Sequence, residues 1–283
     1  MFRRQHSQVN YFSEGKVAIK LALAKLVTQT FEQAILLMPV QVHQLLVADS
    51  RAYSFDQYTH PPFSNLSVDF VIQRGAKIDD LVLPTVTKLR SYDPLDFTVI
   101  KLAAGINDLT EFVYTVHSRS KVLKKSDLSL DGFFARLYRF KQQIQACRPL
   151  TIVSIVTIPL ASFSKFQASR HLSSPVLSVE ELITNQKQLD SLLDQANARI
   201  REFNNELQLG MSTRTLSWHT SVRKPSKRKT RTSKHNKSLR NDFSQLYDGL
   251  HATSTLKKKW YNELYRSFDL DTRSLLVLLN TPQ

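Results

Sequence analysis

Cysteine is almost absent from this 283-residue chain, which contains Cys147 alone. A single thiol excludes an internal disulfide framework and a cysteine-rich zinc site, and it favours a reducing compartment. Long apolar runs are absent as well. In particular, residues 1–15 carry basic side chains, and no continuous apolar stretch follows them. We therefore expect no secretory signal, no membrane span and an intracellular location, in the cytoplasm or the nucleus.

Positive charge is what the chain has in excess, with 39 Lys and Arg against 24 Asp and Glu and a net charge of +15. Residues 223–240 hold nine of the basic side chains and no acidic one. Such a tract can neutralise phosphates, or it can be a solvated linker without a ligand. Because it has few apolar residues to bury, we expect the insertion over residues 221–241 to be disordered. The candidates for nucleic-acid binding are Arg223, Lys224, Lys227, Arg228, Lys229 and Arg231.

Apolar runs of strand length alternate with helical patterns along most of the chain. The predicted strands are 45–47, 69–72, 96–102, 150–158 and 211–218, and the predicted helices are 15–37, 78–89, 133–146, 179–207 and 253–268. Nearly all-apolar strands that alternate with helices indicate a mostly parallel sheet covered on both faces, in three α/β/α layers. We predict a helical extension over residues 1–40, a domain over 41–270 and a C-terminal tail over 271–283.

Small or polar residues follow three of the predicted strands. They are Ser50, Gly75 and Asn107, and in a doubly wound sheet they would lie at one common edge, where ligands bind. A serine at a sharp strand-ending turn is lifted out of the sheet. An ordinary polar turn is the alternative interpretation of the Ser50 segment.

Two residues separate Asp248 from His251 near the C-terminal end. This spacing allows one turn to place both side chains on the same side. The carboxylate can then hold the imidazole through one ring nitrogen and leave the other nitrogen to face a nucleophile. Taken alone, the same pattern is also compatible with a surface turn and a helix cap.

Taken together, the four blocks resemble the SGNH (GDSL-type) hydrolases in kind and in order. The blocks are Ala48-Asp49-Ser50, Gly75, Gly105-Ile106-Asn107-Asp108 and Asp248-Gly249-Leu250-His251. The resemblance covers residues 44–268 and implies the flavodoxin-like, five-stranded α/β fold of that family. Two residues depart from the family pattern, which has Gly at Ala48 and Leu at Arg51. Alanine fits unless the backbone needs a positive φ, and Arg51 could either favour an anionic substrate or fold onto an acid.

The resemblance implies a serine esterase that forms an acyl-enzyme on a small-molecule, lipid or sugar ester. Ser50 would be the nucleophile, His251 the base, and Asp248 the group that orients the base. The oxyanion hole would consist of the backbone N–H groups of Ser50 and Gly75 and the side-chain amide of Asn107. No cofactor and no metal are implied.

The alternative hypothesis is a nucleic-acid-binding module on an SGNH-like scaffold, of the kind found in mobile-element or virus-like polyproteins, with a weak or silent esterase site. A nuclear-localisation role for residues 227–229 is a third option. Aromatic residues after Ser50 could line an acyl pocket or cover the core; they are Tyr53, Phe55, Tyr58 and Phe63.

Overall fold

The computed structural model of the chain describes residues 41–62, 64–114, 121–169, 177–219, 222–225 and 239–280. The strands are β1 (Val42–Ala48), β2 (Val68–Ile72), β3 (Phe97–Ala103), β4 (Thr110–Tyr114), β5 (Lys121–Lys125), β6 (Thr151–Ile155), β7 (Val222–Pro225) and β8 (Leu239–Asp242). The helices are α1 (Val82–Leu89), α2 (Ile106–Leu109), α3 (Leu130–Cys147), α4 (Phe163–Ser169), α5 (Val179–Asn205) and α6 (Ser254–Asn280). The predicted N-terminal extension lies outside the described residues.

The main sheet is parallel, with strand order β2-β1-β3-β6. Ala48, the last residue of β1, lies opposite Ile72 of β2 on one side and Ala103 of β3 on the other. The three strands therefore end level with one another, and the segments that follow them leave from one edge. The α/β fold with a mostly parallel sheet is confirmed.

Helices cover both faces of this sheet because successive strand residues point to opposite sides. On one face, Leu45 and Val47 of β1 and Ile100 of β3 join the main core with residues from α1, α3 and α5. On the other face, Lys101 of β3 meets Asp271 of α6. The three-layer arrangement thus follows directly from the alternation along the central strands.

The predicted fifth strand, residues 211–218, is reduced to isolated bridges. Ser217 forms a single parallel bridge with Thr157, which marks the fifth position of the sheet, beside β6. Burial alternates along the segment as in a strand, but its backbone groups bond elsewhere: the N–H of Thr213 donates to Asn204 O and that of Arg214 to Asp271 Oδ1. These contacts divert the segment from continuous pairing, so the described part of the main sheet has four strands.

The antiparallel hairpin of β4 and β5 was not predicted from the sequence. Within the predicted disordered insertion, β7 and β8 also pair as an antiparallel ribbon. The expectation of disorder is therefore wrong for the seven residues of the insertion that lie in these strands, 222–225 and 239–241, since backbone pairing between two strands needs no apolar core. Residues 226–238 lie outside the described residues.

The predicted C-terminal tail is also wrong, because α6 continues through residue 280. Three contacts explain the extension. Asp271 pairs with the buried Lys101, Thr272 accepts a hydrogen bond from Gln44 Nε2 at 3.0 Å, and Leu275 is fully buried. The part of α6 that contains Asp271 and Thr272 is thus fixed to the sheet. Within the described residues, we find no helix that is both long and apolar enough to cross a membrane.

We expect Asp271→Asn to lower the free energy of unfolding by about 3 kcal/mol, because it leaves Lys101 as an uncompensated buried cation. Chemical denaturation measures the loss. The matched control combines Lys101→Met with Asp271→Asn, which removes both charges and keeps the oxygen that accepts from Arg214 N. This double variant should recover most of the stability; equal losses in both variants would show that the charge on Lys101 is not the cause.

Candidate active site

Ser50 begins a short 3₁₀ turn, Ser50–Ala52, immediately after β1 and Asp49. The carboxylate of Asp49 accepts hydrogen bonds from the backbone N–H of Arg51 at 2.9 Å and from its Nε and Nη2 atoms at 3.2 Å each. Both side chains are almost completely buried. Of the two roles predicted for Arg51, the structure therefore supports folding onto an acid, and this bidentate ion pair holds the turn that presents Ser50.

Ala48 causes no backbone strain at the position where glycine is usual in the SGNH family. It is the buried last residue of β1, and the described non-glycine residues with positive φ are Ser54 and Leu209. Because the backbone at Ala48 is an ordinary strand, a Cβ atom is tolerated there.

The structure brings Ser50, His251 and Asp248 together across a separation of 201 residues. Ser50 Oγ lies 3.2 Å from His251 Nε2, and His251 Nδ1 lies 2.8 Å from Asp248 Oδ2. A carboxylate beside Nδ1 favours the tautomer that carries its proton there, so Nε2 is left to accept the proton of the serine hydroxyl. The three groups form a chain in which each member orients the next.

Asp248 is held in its ionised form. Burial opposes ionisation of the carboxyl group, but hydrogen bonds from the His251 ring and from backbone N–H groups outweigh it, so the pKa of Asp248 lies below its usual value. The backbone donors are His251 N at 2.7 Å and Leu250 N at 3.0 Å, both to Oδ1. An anion next to the imidazole stabilises its protonated form during proton transfer.

Gly249, between Asp248 and His251, positions this loop in a way the sequence analysis missed. Its φ is +87°, and its carbonyl accepts a hydrogen bond from Ser162 N at 2.8 Å. A Cβ atom at this position would lie 2.3 Å from Ser162 O and 2.6 Å from Phe166 N. The glycine that separates the acid from the histidine was the available signal, since close backbone approach and positive φ both favour glycine.

We expect Gly249→Ala to reduce kcat about 100-fold in a folded protein, because the clash with backbone atoms must displace the Asp248–His251 loop. Ester turnover and circular dichroism, measured together, separate the loss of geometry from the loss of fold. Gly210→Ala is the matched control: φ is +81° there, but its Cβ would meet Leu278 at an ordinary 3.5 Å. If both variants lose activity equally, the close approach at Gly249 is not the cause.

Gly75 and Asn107, the predicted oxyanion donors, lie on the segments that follow β2 and β3. Gly75 has a φ of +69°, and no atom lies within 4 Å of the place where a Cβ would be, so the space in front of it is open. Asn107 Nδ2 donates to Ala76 O at 3.0 Å. One amide N–H thus ties the two segments together, and the same nitrogen carries a second N–H.

Asp108, the residue after Asn107, links the segments that follow β2 and β3. Its carboxylate accepts hydrogen bonds from Ile78 N at 3.1 Å and from Arg136 Nη1 at 2.8 Å. Burial raises the pKa of Asp108 to about 6, and the two donors only partly offset this effect. Asp108 is thus a turn anchor, in line with the hydrogen-bonding role that the sequence favours for the residue after Asn107.

Four aromatic residues were predicted either to line an acyl pocket or to cover the core. Of these, Phe55 covers the core. It is fully buried, and its ring contacts those of Trp218 and Tyr261 edge-on, with centroids 5.6 Å away in both cases. Tyr58 packs on Tyr261 as well. Tyr53 is 43% exposed at the end of the nucleophile turn, and Phe63 lies outside the described residues.

The structure describes no side chain of the residues predicted to bind nucleic acid. Arg223 and Lys224 belong to β7, for which the backbone alone is described; Lys227, Arg228, Lys229 and Arg231 lie outside the described residues. Among the residues that are described, no group of three or more histidine, cysteine or acidic side chains could hold a metal ion.

In sequence, the chain matches no family model and no curated protein. In structure, it is similar to a lipolytic protein of the G-D-S-L family from Veillonella parvula, at 8% identity over 81% of this chain and 98% of that one, with a TM-score of 0.41. It is also similar to a carbohydrate esterase family 3 protein from Talaromyces cellulolyticus, at 12% identity over 87% and 100%, with a TM-score of 0.41. A family 3 carbohydrate esterase of Clostridium thermocellum matches at 13% identity over 83% and 99%, with a TM-score of 0.40.

The chain is similar in structure to GDSL and carbohydrate esterases. At such low identities and modest TM-scores, they do not carry the activity of those proteins over to this chain. Its function is inferred from the geometry around Ser50.

Proposed function

We propose that the protein is a serine hydrolase that cleaves carboxylic esters through an acyl-enzyme intermediate. The observation that carries the proposal is the hydrogen-bonded chain from Ser50 Oγ through the two ring nitrogens of His251 to Asp248, with links of 3.2 and 2.8 Å. Both distances are within the reach needed for proton transfer between a nucleophile and its base.

In the first half of the reaction, Ser50 Oγ attacks the ester carbonyl carbon while its proton moves to His251 Nε2. The resulting imidazolium is stabilised by Asp248, and it then gives the proton to the departing alcohol. In the second half, water attacks the acyl carbon while its proton moves to His251 Nε2. The acyl–oxygen bond then breaks, the imidazolium returns the proton to Ser50 Oγ, and the acid product leaves. No atom or electron is required from a cofactor.

The negative oxygen of the tetrahedral intermediate needs hydrogen-bond donors. We assign this role to the backbone N–H of Ser50, the backbone N–H of Gly75 and the second side-chain amide N–H of Asn107. The open space in front of Gly75 and the partly exposed Ser50 support an accessible carbonyl position. Loss of one such donor typically costs about 100-fold or more in rate.

Turnover of p-nitrophenyl acetate and p-nitrophenyl butyrate tests the proposal. We expect saturable release of nitrophenolate, with an initial burst of one equivalent when hydrolysis of the acyl-enzyme is the slower half. An absence of turnover with folded protein across short and medium acyl chains would contradict the proposal.

Nucleic-acid binding stays a prediction from the basic tract, since the described residues contain no side chain of that tract. Binding to RNA or DNA that weakens steeply with salt, and that is lost on deletion of residues 223–240, would support it. Unchanged binding after the deletion would contradict it.

A further inference from the structure

Two cationic side chains meet at Tyr53, three residues after Ser50. The guanidinium of Arg74 lies over the Tyr53 ring, 3.8 Å from its centroid. Lys257 Nζ donates a hydrogen bond to the backbone carbonyl of the same residue, Tyr53 O, at 3.1 Å. Tyr53 itself is bonded to the nucleophile turn, since its backbone N–H donates to Ser50 O at 3.2 Å.

The chain segments that form the site also bring these cations to it. Arg74 directly precedes Gly75, the residue to which we assign an oxyanion donor. Lys257 lies in the first turns of α6, shortly after His251. The positive charges therefore stand at the edge of the Ser50 site rather than at an unrelated surface.

Neither cation is paired with an acid among the described residues. Arg74 is exposed, and its described contact is with the face of Tyr53. Lys257 is half-buried, and its described hydrogen bond goes to a neutral carbonyl oxygen. This contrasts with Arg51, whose Nε and Nη2 atoms both donate to the carboxylate of Asp49.

Electrostatics at this edge favour an added negative charge. Burial lowers the pKa of Lys257, the nearby Arg74 lowers it further, and Asp248 alone opposes them. Two cations that repel each other in a partly desolvated place are stabilised when an anion binds between them. A guanidinium and an ammonium that both contact Tyr53 are suited to a carboxylate or a phosphate.

We propose that the substrate is an ester that carries an anionic group close to the scissile bond, and that Arg74 and Lys257 bind this group. The inference rests on the proposed esterase function and names the substrate class of the same site. Arg74 and Lys257 are then specificity residues, whereas Ser50, His251 and Asp248 perform the chemistry.

Two matched ester pairs test this inference by their kcat/KM ratios. The first compares the p-nitrophenyl monoester of adipic acid with p-nitrophenyl hexanoate, which places the charge on the acyl side. The second compares p-carboxyphenyl butyrate with p-carbamoylphenyl butyrate, which places it on the alcohol side. We expect the anionic member of at least one pair to be preferred about tenfold at low salt, and less so at high salt.

The double variant Arg74→Gln with Lys257→Met should reduce that ratio to about one. Lys258→Met is the control for the lysine change, because it removes one positive charge from an exposed neighbouring position on α6 and should leave the ratio unchanged. If both members of each pair are hydrolysed without preference, or if the preference survives the double variant, this inference is overturned and the esterase function stands. If no ester is hydrolysed, the esterase function fails and this inference fails with it.

Discussion

Ser50→Ala is expected to lower kcat for p-nitrophenyl butyrate by about a millionfold, the largest effect of any single substitution in the chain. The reason is that the hydroxyl is the atom that bonds to the carbonyl carbon, and no other described side chain takes its place next to His251 Nε2. The fold should be unaffected, because the Ser50 side chain is partly exposed and the turn is held by Asp49 and Arg51.

The nucleophile and its base act as a unit, so the losses of activity from substituting Ser50 and His251 should not multiply. Adding His251→Ala to Ser50→Ala should cost almost nothing further, since the base has no proton left to remove. Ser91→Ala is the control, because its exposed hydroxyl caps the end of α1 by donating to Lys88 O. If Ser50→Ala retains a hundredth or more of the activity, or if the two losses simply multiply, Ser50 and His251 do not work together in the reaction.

Asp248→Asn is expected to reduce kcat by about 10⁴-fold with little change in KM. An amide at this position cannot stabilise the imidazolium, and its NH₂ group can hold His251 in the tautomer whose Nε2 carries the proton. Such a histidine donates to Ser50 instead of accepting from it. The backbone bonds from His251 and Leu250 to Oδ1 can be kept by the amide oxygen, so the loop should remain in place.

An electrostatic role for Asp248 requires that its carboxylate be ionised at the pH of the assay. Because the pKa of Asp248 is held below its usual value, the wild-type carboxylate stays ionised throughout the neutral range and its stabilisation is lost only in strong acid. Asp131→Asn is the control, since that carboxylate is highly exposed and pairs with Arg199. A loss in Asp248→Asn no greater than that of the control would show that the acid is not coupled to the histidine.

The alternation of apolar strands with helices was enough to predict the fold class and the parallel sheet. It also predicted that Ser50, Gly75 and Asn107 lie at one edge, because the segments that follow parallel strands leave from the same edge of the sheet. The proximity of His251 to Ser50 could not follow from periodicity, because the two residues are 201 positions apart. The likeness of the four blocks to a known family suggested that contact.

Other features depend on tertiary contacts that leave no periodic signal. The end of α6 is fixed by Lys101, a charged residue inside an otherwise apolar strand, and only the partner Asp271 makes this position intelligible. The role of Arg51 could not be decided from the sequence either, since a guanidinium next to a nucleophile can bind an anionic substrate or pair with an acidic side chain. Burial against Asp49 decided between them. The constraint at Gly249 arises from a backbone approach by Ser162, and the glycine itself was the local sequence signal for it.

The central claim is that Ser50 is a nucleophile activated by His251. It is tested most directly by incubating the protein with a fluorophosphonate and mapping the adduct by mass spectrometry. We predict one adduct per chain, on the Ser50 side chain, formed rapidly in the wild-type protein and at least about 100-fold more slowly in His251→Ala. An unmodified Ser50, an adduct on another serine, or equal rates of labelling with and without the imidazole would contradict the account.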